Sequence, residues 1–147
     1  MTPLDLGYAA ASKVGAVESR ELTPPWRSVL TTSELESLVN NGGFTMFFDE
    51  DRSPELFEDT RADLDTISAE PFHELYLRAF EIFSNGSLSP DEKERQFDKL
   101  DGEFYRLMRV PGKSLPEYLG TFIKNNPTEF TKTYAQFLGE LESNAKA

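Results

Sequence analysis

Proline-marked helix starts constrain this chain more than any other feature. Thr2-Pro3, Ser53-Pro54, Glu70-Pro71, Ser89-Pro90 and Asn126-Pro127 each put proline where a helix begins, at a position whose N–H would find no partner within the helix. Ser89-x-x-Glu92, Ser114-x-x-Glu117 and Asn126-x-x-Glu129 add capping-box pairs, in which two side chains satisfy orphan amides reciprocally. Val and Ile number only eight against 32 Leu, Met and Phe, so the β-branched enrichment of strands is missing. The expected fold is all-α, a compact multi-helix single domain of about seven or eight helices. They fall near 3–19, 32–41, 44–49, 54–68, 71–84, 90–108, 115–125 and 127–142.

The hydrophobic periodicity agrees. Phe72, Leu75, Tyr76, Ala79, Phe80 and Phe83 stack along one stripe of a 3.6-residue helix, which makes that helix central to the core. Phe97, Leu100, Phe104, Leu107 and Met108 form a second stripe, and Phe130, Tyr134, Phe137, Leu138 and Leu141 a third. Core packing explains these stripes better than a ligand pocket does. Pro24-Pro25 and Val110-Pro111-Gly112-Lys113 read as connectors. The first divides an amino-terminal helical extension, 1–25, from an acidic all-α domain, 26–147.

Charge narrows the function. Between Asp49 and Glu103 there are 17 acidic residues against six basic ones, so this segment carries the whole formal charge of -11. Such a balance argues against direct binding of nucleic acid or of an anionic membrane, both of which need excess Lys and Arg. A basic protein partner is favoured. With no cysteine, disulfides and thiolate chemistry are excluded. No apolar run approaches the roughly 20 residues of a spanning helix, and the start of the chain lacks the pattern of a secretion signal. The expected location is cytoplasmic.

The acids fall at helical spacing. Glu55, Glu58, Asp59 and Asp63 follow i, i+3, i+4 and i+8, with Leu56, Thr60, Leu64 and Ile67 on the opposite side. Asp91, Glu94, Asp98 and Asp101 form a second stripe, about 15 Å long at 1.5 Å per residue. Neighbours at such spacing lie about 5 to 6 Å apart, of the order of successive phosphates on a nucleic acid strand. These eight residues are the candidate partner-binding set, and a solvated helix face is the plainer alternative. No catalytic residue, metal ligand set or cofactor is expected. The lone His73 adjoins an apolar stripe and reads as a packing residue. The calcium-like Asp49-x-Asp51-x-Ser53 has Pro54 where the loop needs Gly, and Thr60 where it needs a bidentate Glu.

The most distinctive string is Asn40-Asn41-Gly42-Gly43-Phe44, followed by Phe47 and Phe48. Gly42 suits the left-handed residue that ends a helix, and Gly43 a further backbone turn before Phe44 enters the core. No Lys or Ser/Thr follows at P-loop spacing, so the string reads as structural. Here the sequence resembles the bacterial DNA mimic protein family, whose motif is Asn-Gly-Gly-Phe followed by paired aromatics. The likeness spans roughly residues 30–130 and includes Leu100-Asp101-Gly102-Glu103-Phe104-Tyr105, with departures at Leu38, Met46 and Asp49. It implies an all-α homodimer whose acidic surface occupies the nucleic-acid site of a basic DNA-binding protein, antagonising a transcription regulator. An immunity-type inhibitor of a basic toxin such as a nuclease is the alternative, because both would set a preformed acidic surface on a cationic site.

Overall fold

The computed structural model describes residues 2–5, 8 and 23–130. Five helices follow one another from residue 24: α1 (Pro24–Phe47), α2 (Pro54–Thr66), α3 (Glu70–Ser84), α4 (Pro90–Met108) and α5 (Leu115–Asn125). Residues 3–5 and 8 are helical ahead of them, and no strand occurs among the described residues. Among the described residues these make six helices, where seven or eight were expected of the whole chain. The expected helices 32–41 and 44–49 are two limbs of α1, joined across a kink at Gly42 and Gly43. Residues 127–130 form a turn, and the rest of the helix expected at 127–142 lies outside the described residues.

The start of α1 also differs from expectation. Pro24 and Pro25 are not a connector; they open the helix and bring Trp26, Val29 and Leu30 into the core. They obey the proline-at-N1 rule that marks the other starts. The side chains of Ser53 and Ser89 cap α2 and α4 by accepting the N–H of Glu55 and Glu92, and Ser114 with Glu117 forms a full capping box on α5. Asn126 was expected to open the helix at 127–142, most of which lies outside the described residues. It ends α5, and its side-chain amide donates to the carbonyl of Phe122 at 2.8 Å.

Helix α1 packs on α2, α4 and α5, while α3 packs on α2 and α4. The first four helices therefore close a ring with α2 and α4 at diagonal corners. Phe48 lies where α1 ends, and its ring is within 6 Å of those of Phe57, Tyr76, Phe83 and Phe97. One aromatic side chain thus ties α2, α3 and α4 together, and edge-on and stacked ring pairs add to simple area burial. The amino-terminal turn joins from outside. A Cβ on Gly120 of α5 would overlap the Pro3 carbonyl, so glycine is what allows that close approach.

Helix α2 stops at Ser68, which has φ 59°, with the Ser68 N–H donating to Asp65 and the Ala69 N–H to Leu64. This is a Schellman stop with serine in the left-handed position that glycine usually takes. Relief of the Cβ penalty outweighs the greater chain entropy glycine brings to the unfolded state, so Ser68→Gly is expected to stabilise by about 0.5 to 1 kcal/mol. Thermal melts should show a rise of roughly 1 to 4 °C. A fall would show that the serine side chain contributes more than the turn.

Candidate functional site

Helices α2 and α4 carry the acids singled out from sequence, but the structure divides them by role. Glu55, Glu58, Asp91, Glu94 and Asp98 are exposed, and Asp59 is half-exposed. Asp63 is not on the surface at all. It is 1% exposed, and its carboxylate takes both Nη2 and Nε of Arg27, at 2.7 and 3.1 Å, and the Thr31 hydroxyl at 2.8 Å. The cause is a rotation of the buried face of α2, which is Phe57, Thr60, Leu64 and Ile67 while Leu56 is only half-buried. Asp63, three residues after Thr60, then turns toward α1. Arg27 also reaches Asp59 at 3.7 Å, and Arg61 reaches Glu58 at 2.6 Å. The α2 stripe is thus partly neutralised from within the chain.

Asp101 ends the α4 stripe and is half-buried, with its carboxylate turned toward α1. Its Oδ1 accepts the N–H of Phe44 at 2.8 Å, and four residues later the Tyr105 hydroxyl donates to the carbonyl of Val39 at 2.9 Å. A helix broken at Gly42 and Gly43 leaves an orphan carbonyl before the break and an orphan N–H after it. Asp101 and Tyr105, one turn apart on α4, satisfy one of each. Positive φ falls on Gly43 (φ 72°, ψ -173°), while Gly42 has φ -154°, so the left-handed residue is one place later than expected. Asn40, Asn41 and Gly42 are exposed, whereas Gly43 and Phe44 are buried. The string Asn40-Asn41-Gly42-Gly43-Phe44 and the string around Asp101 are therefore the two halves of one clasp.

The sequence pattern of the DMP19-like protein family matches residues 20–126, well over half of the chain. The chain belongs to that family. No curated protein and no solved structure matches it. In this DMP19-like protein the matched region takes in all of α1 to α5 and the kink with its clasp.

The exposed acids concentrate where four helix ends meet. Asp49, Glu50 and Asp51 follow α1, Glu55 and Glu58 lie on the first turns of α2, and Asp91, Glu92 and Glu94 on those of α4; all eight are exposed. Their convergence follows from the aromatic contacts. Phe48 meets Phe57 near the start of α2 and Phe83 near the end of α3, and Glu50 and Glu94 line one cleft. The α2 and α4 residues also sit at helix N-termini, where the macrodipole favours negative charge. Three basic residues share this region: Lys93 donates to the Phe83 carbonyl at 2.8 Å, Arg95 sits 3.6 Å from Glu92, and Arg52 is half-buried on the side of Glu34. The sequence stripes missed Asp49, Glu50 and Asp51, because a helical repeat cannot see residues joined by a turn, and Glu92, because it lies beside the 91, 94, 98, 101 row on the same helix.

The calcium-like string and His73 have structural accounts. The Asp49 carboxylate accepts the N–H of Asp51 at 2.9 Å, folding the acidic turn on itself. His73 is half-buried beside Leu64, Asp65, Ser68 and Glu70 in a pocket of about 190 Å³. Among the described residues no three acidic or histidine side chains are placed to hold a metal ion, and no helix is long and apolar enough to cross a membrane.

Burial sets a pH dependence. The carboxyls of Glu34, Glu36 and Asp101 are each raised above their ordinary values chiefly by desolvation, opposed at Glu34 by Arg52 and at Asp101 by the Phe44 N–H. A raised group binds its proton more readily in the folded chain. Its stabilising contribution is therefore complete below the unfolded carboxylate range and is lost as pH rises through the folded value. The melting temperature is expected to hold or rise as pH falls from 7 toward 5, and Glu36→Gln to flatten that rise. A melting temperature that drops steadily over this interval would contradict it. Asp5, held low by Thr2, works in the opposite sense but below this window.

Proposed function

We propose that this DMP19-like chain is a protein-binding domain rather than an enzyme, a DNA mimic that occupies the nucleic-acid site of a basic DNA-binding protein. The observation that carries the proposal is the acidic end of the helix ring, where Asp49, Glu50, Asp51, Glu55, Glu58, Asp91, Glu92 and Glu94 are all exposed. Their scaffold is rigid, being helix ends fixed by a shared aromatic cluster, so the carboxylates are held in place before any partner arrives. Preorganised charge of one sign attracts a cationic surface, speeds encounter and suppresses wrong partners. Membership of a family of DNA mimic proteins supports the same reading. The proposed working form is a cytoplasmic homodimer.

The test is capture from native lysate on the immobilised protein, with identification of what is retained, followed by competition with DNA. A retained DNA-binding regulator that releases its operator when this protein is added is the expected result. A retained nuclease that loses activity would replace the DNA-mimic reading with that of an immunity-type inhibitor. A retained protein indifferent to DNA would overturn both.

A further inference from the structure

The chain holds two Asn-Gly pairs, Asn41-Gly42 and Asn85-Gly86. In such a pair the glycine nitrogen has no side chain beside it to block its approach to the asparagine carboxamide, with which it can close a ring. The structure treats the two pairs differently. Asn41 keeps helical angles inside α1, and Gly42 follows it within the same helix. Closing a ring there means turning Asn41 out of its helical conformation, against the backbone ladder and next to the clasp that holds the kink. Asn85 instead ends α3 with φ -80° and ψ 101°, and Gly86 follows in the turn that leads to Ser89 and α4. Both are exposed.

Three features of this turn favour reaction at Asn85. The Gly86 N–H donates to no described residue, and nothing lies near the place a Cβ would take, so its nitrogen is free to swing over the Asn85 side chain. Asn85 Oδ1 accepts the Ser87 N–H at 2.9 Å, which folds the carboxamide back over the chain and stabilises negative charge developing on that oxygen. Arg78 and Lys99 line the same cleft of about 490 Å³ as Asn85, and nearby cations favour the same anion.

We infer that Asn85 is a site of spontaneous deamidation, a covalent change that the fold directs to this pair and withholds from Asn41. The Gly86 nitrogen gives its proton to solvent and bonds to Asn85 Cγ. The carboxamide C–N bond breaks, and the amide takes up a proton and leaves as ammonia. Water then opens the cyclic imide at either carbonyl, giving aspartate or, with the backbone routed through the former side chain, isoaspartate. Either product adds one carboxylate, taking the formal charge from -11 to -12. The new charge lies in the turn between α3 and α4, at the acidic end of the ring. The inference stands apart from the DNA-mimic reading, since it needs no partner.

The test is incubation of the intact protein at physiological temperature, at neutral and at mildly alkaline pH, followed by peptide mapping with mass spectrometry. Replacing the amide by a carboxyl adds about 1 Da to the peptide that carries residue 85. Asn85 is expected to convert roughly tenfold faster than Asn41, faster still at the higher pH, and with isoaspartate among the products. In denaturant the two rates should converge. Gly86→Ala places its Cβ in open space at a φ that is not positive, so it should fold as the parent does while slowing conversion roughly tenfold. Should that variant melt lower, the comparison of Asn85 with Asn41 in the parent decides alone. Equal rates at the two asparagines in the folded protein, conversion of Asn85 only after unfolding, or a rate indifferent to Gly86→Ala in a folded variant would each overturn the inference.

Discussion

Gly43→Ala is expected to destabilise the domain by roughly 3 to 5 kcal/mol, a large part of the 5 to 15 kcal/mol that a domain possesses. Two effects combine at this position. With φ 72° and ψ -173°, Gly43 occupies a region essentially closed to other residues, and forcing a side chain there costs about 1 to 3 kcal/mol. A Cβ would also overlap the Asp101 carboxylate, whose displacement opens its bond to Phe44 and adds overpacking of similar size. Gly42→Ala, by contrast, keeps an accessible backbone and crowds only Met46, though its Cβ would lie 2.9 Å from that of Met46, so it should cost about 1 to 2 kcal/mol. Chemical denaturation of the two variants makes the comparison. If the clash with Asp101 is real, Gly43→Ala will cost less in an Asp101→Ala background, with a coupling of about 0.5 to 3 kcal/mol. Equal losses at the two glycines would show that the clasp has been misplaced.

Gly43 also shows what the sequence could reveal and what it could not. Strong local repeats were legible: the stripe Phe72, Leu75, Tyr76 and Ala79 is buried as its spacing demanded, and Ser114 with Glu117 caps α5 as a local pair should. The kink was legible as a break, because two adjacent glycines leave few other uses. Which glycine would turn left-handed was not, since that depends on Asp101, 57 residues away. Asp63 failed for a related reason. Its spacing matches an exposed stripe, and only Arg27 and Thr31, one turn apart on α1, make its burial tolerable. Leu56 and Phe57 are adjacent apolar residues, so periodicity alone leaves the orientation of α2 open by about 100°.

Reversing three acids at the crowded end of the ring, Glu50, Glu55 and Glu94 to Lys, should weaken partner binding at least a hundredfold, about 2.7 kcal/mol. The matched control is Asp65, Glu70 and Glu74 to Lys. These are also exposed, carry the same charge, and lie at the far end of α2 and the start of α3. Each set changes the formal charge from -11 to -5. Any effect of overall charge on diffusion or non-specific adsorption is therefore common to both, and each set includes one first-turn helix residue, so stability changes should match. Asp63 and Asp101 are left untouched, because reversing either would break the fold and mimic a lost interface. Three features should accompany the loss: a fall chiefly in association rate, a weaker salt dependence of what remains, and unchanged melting curves. Equal losses in the two sets would mean that the partner senses only total charge and that the acidic end is no site. Full binding in both would leave these carboxylates as a solvated face.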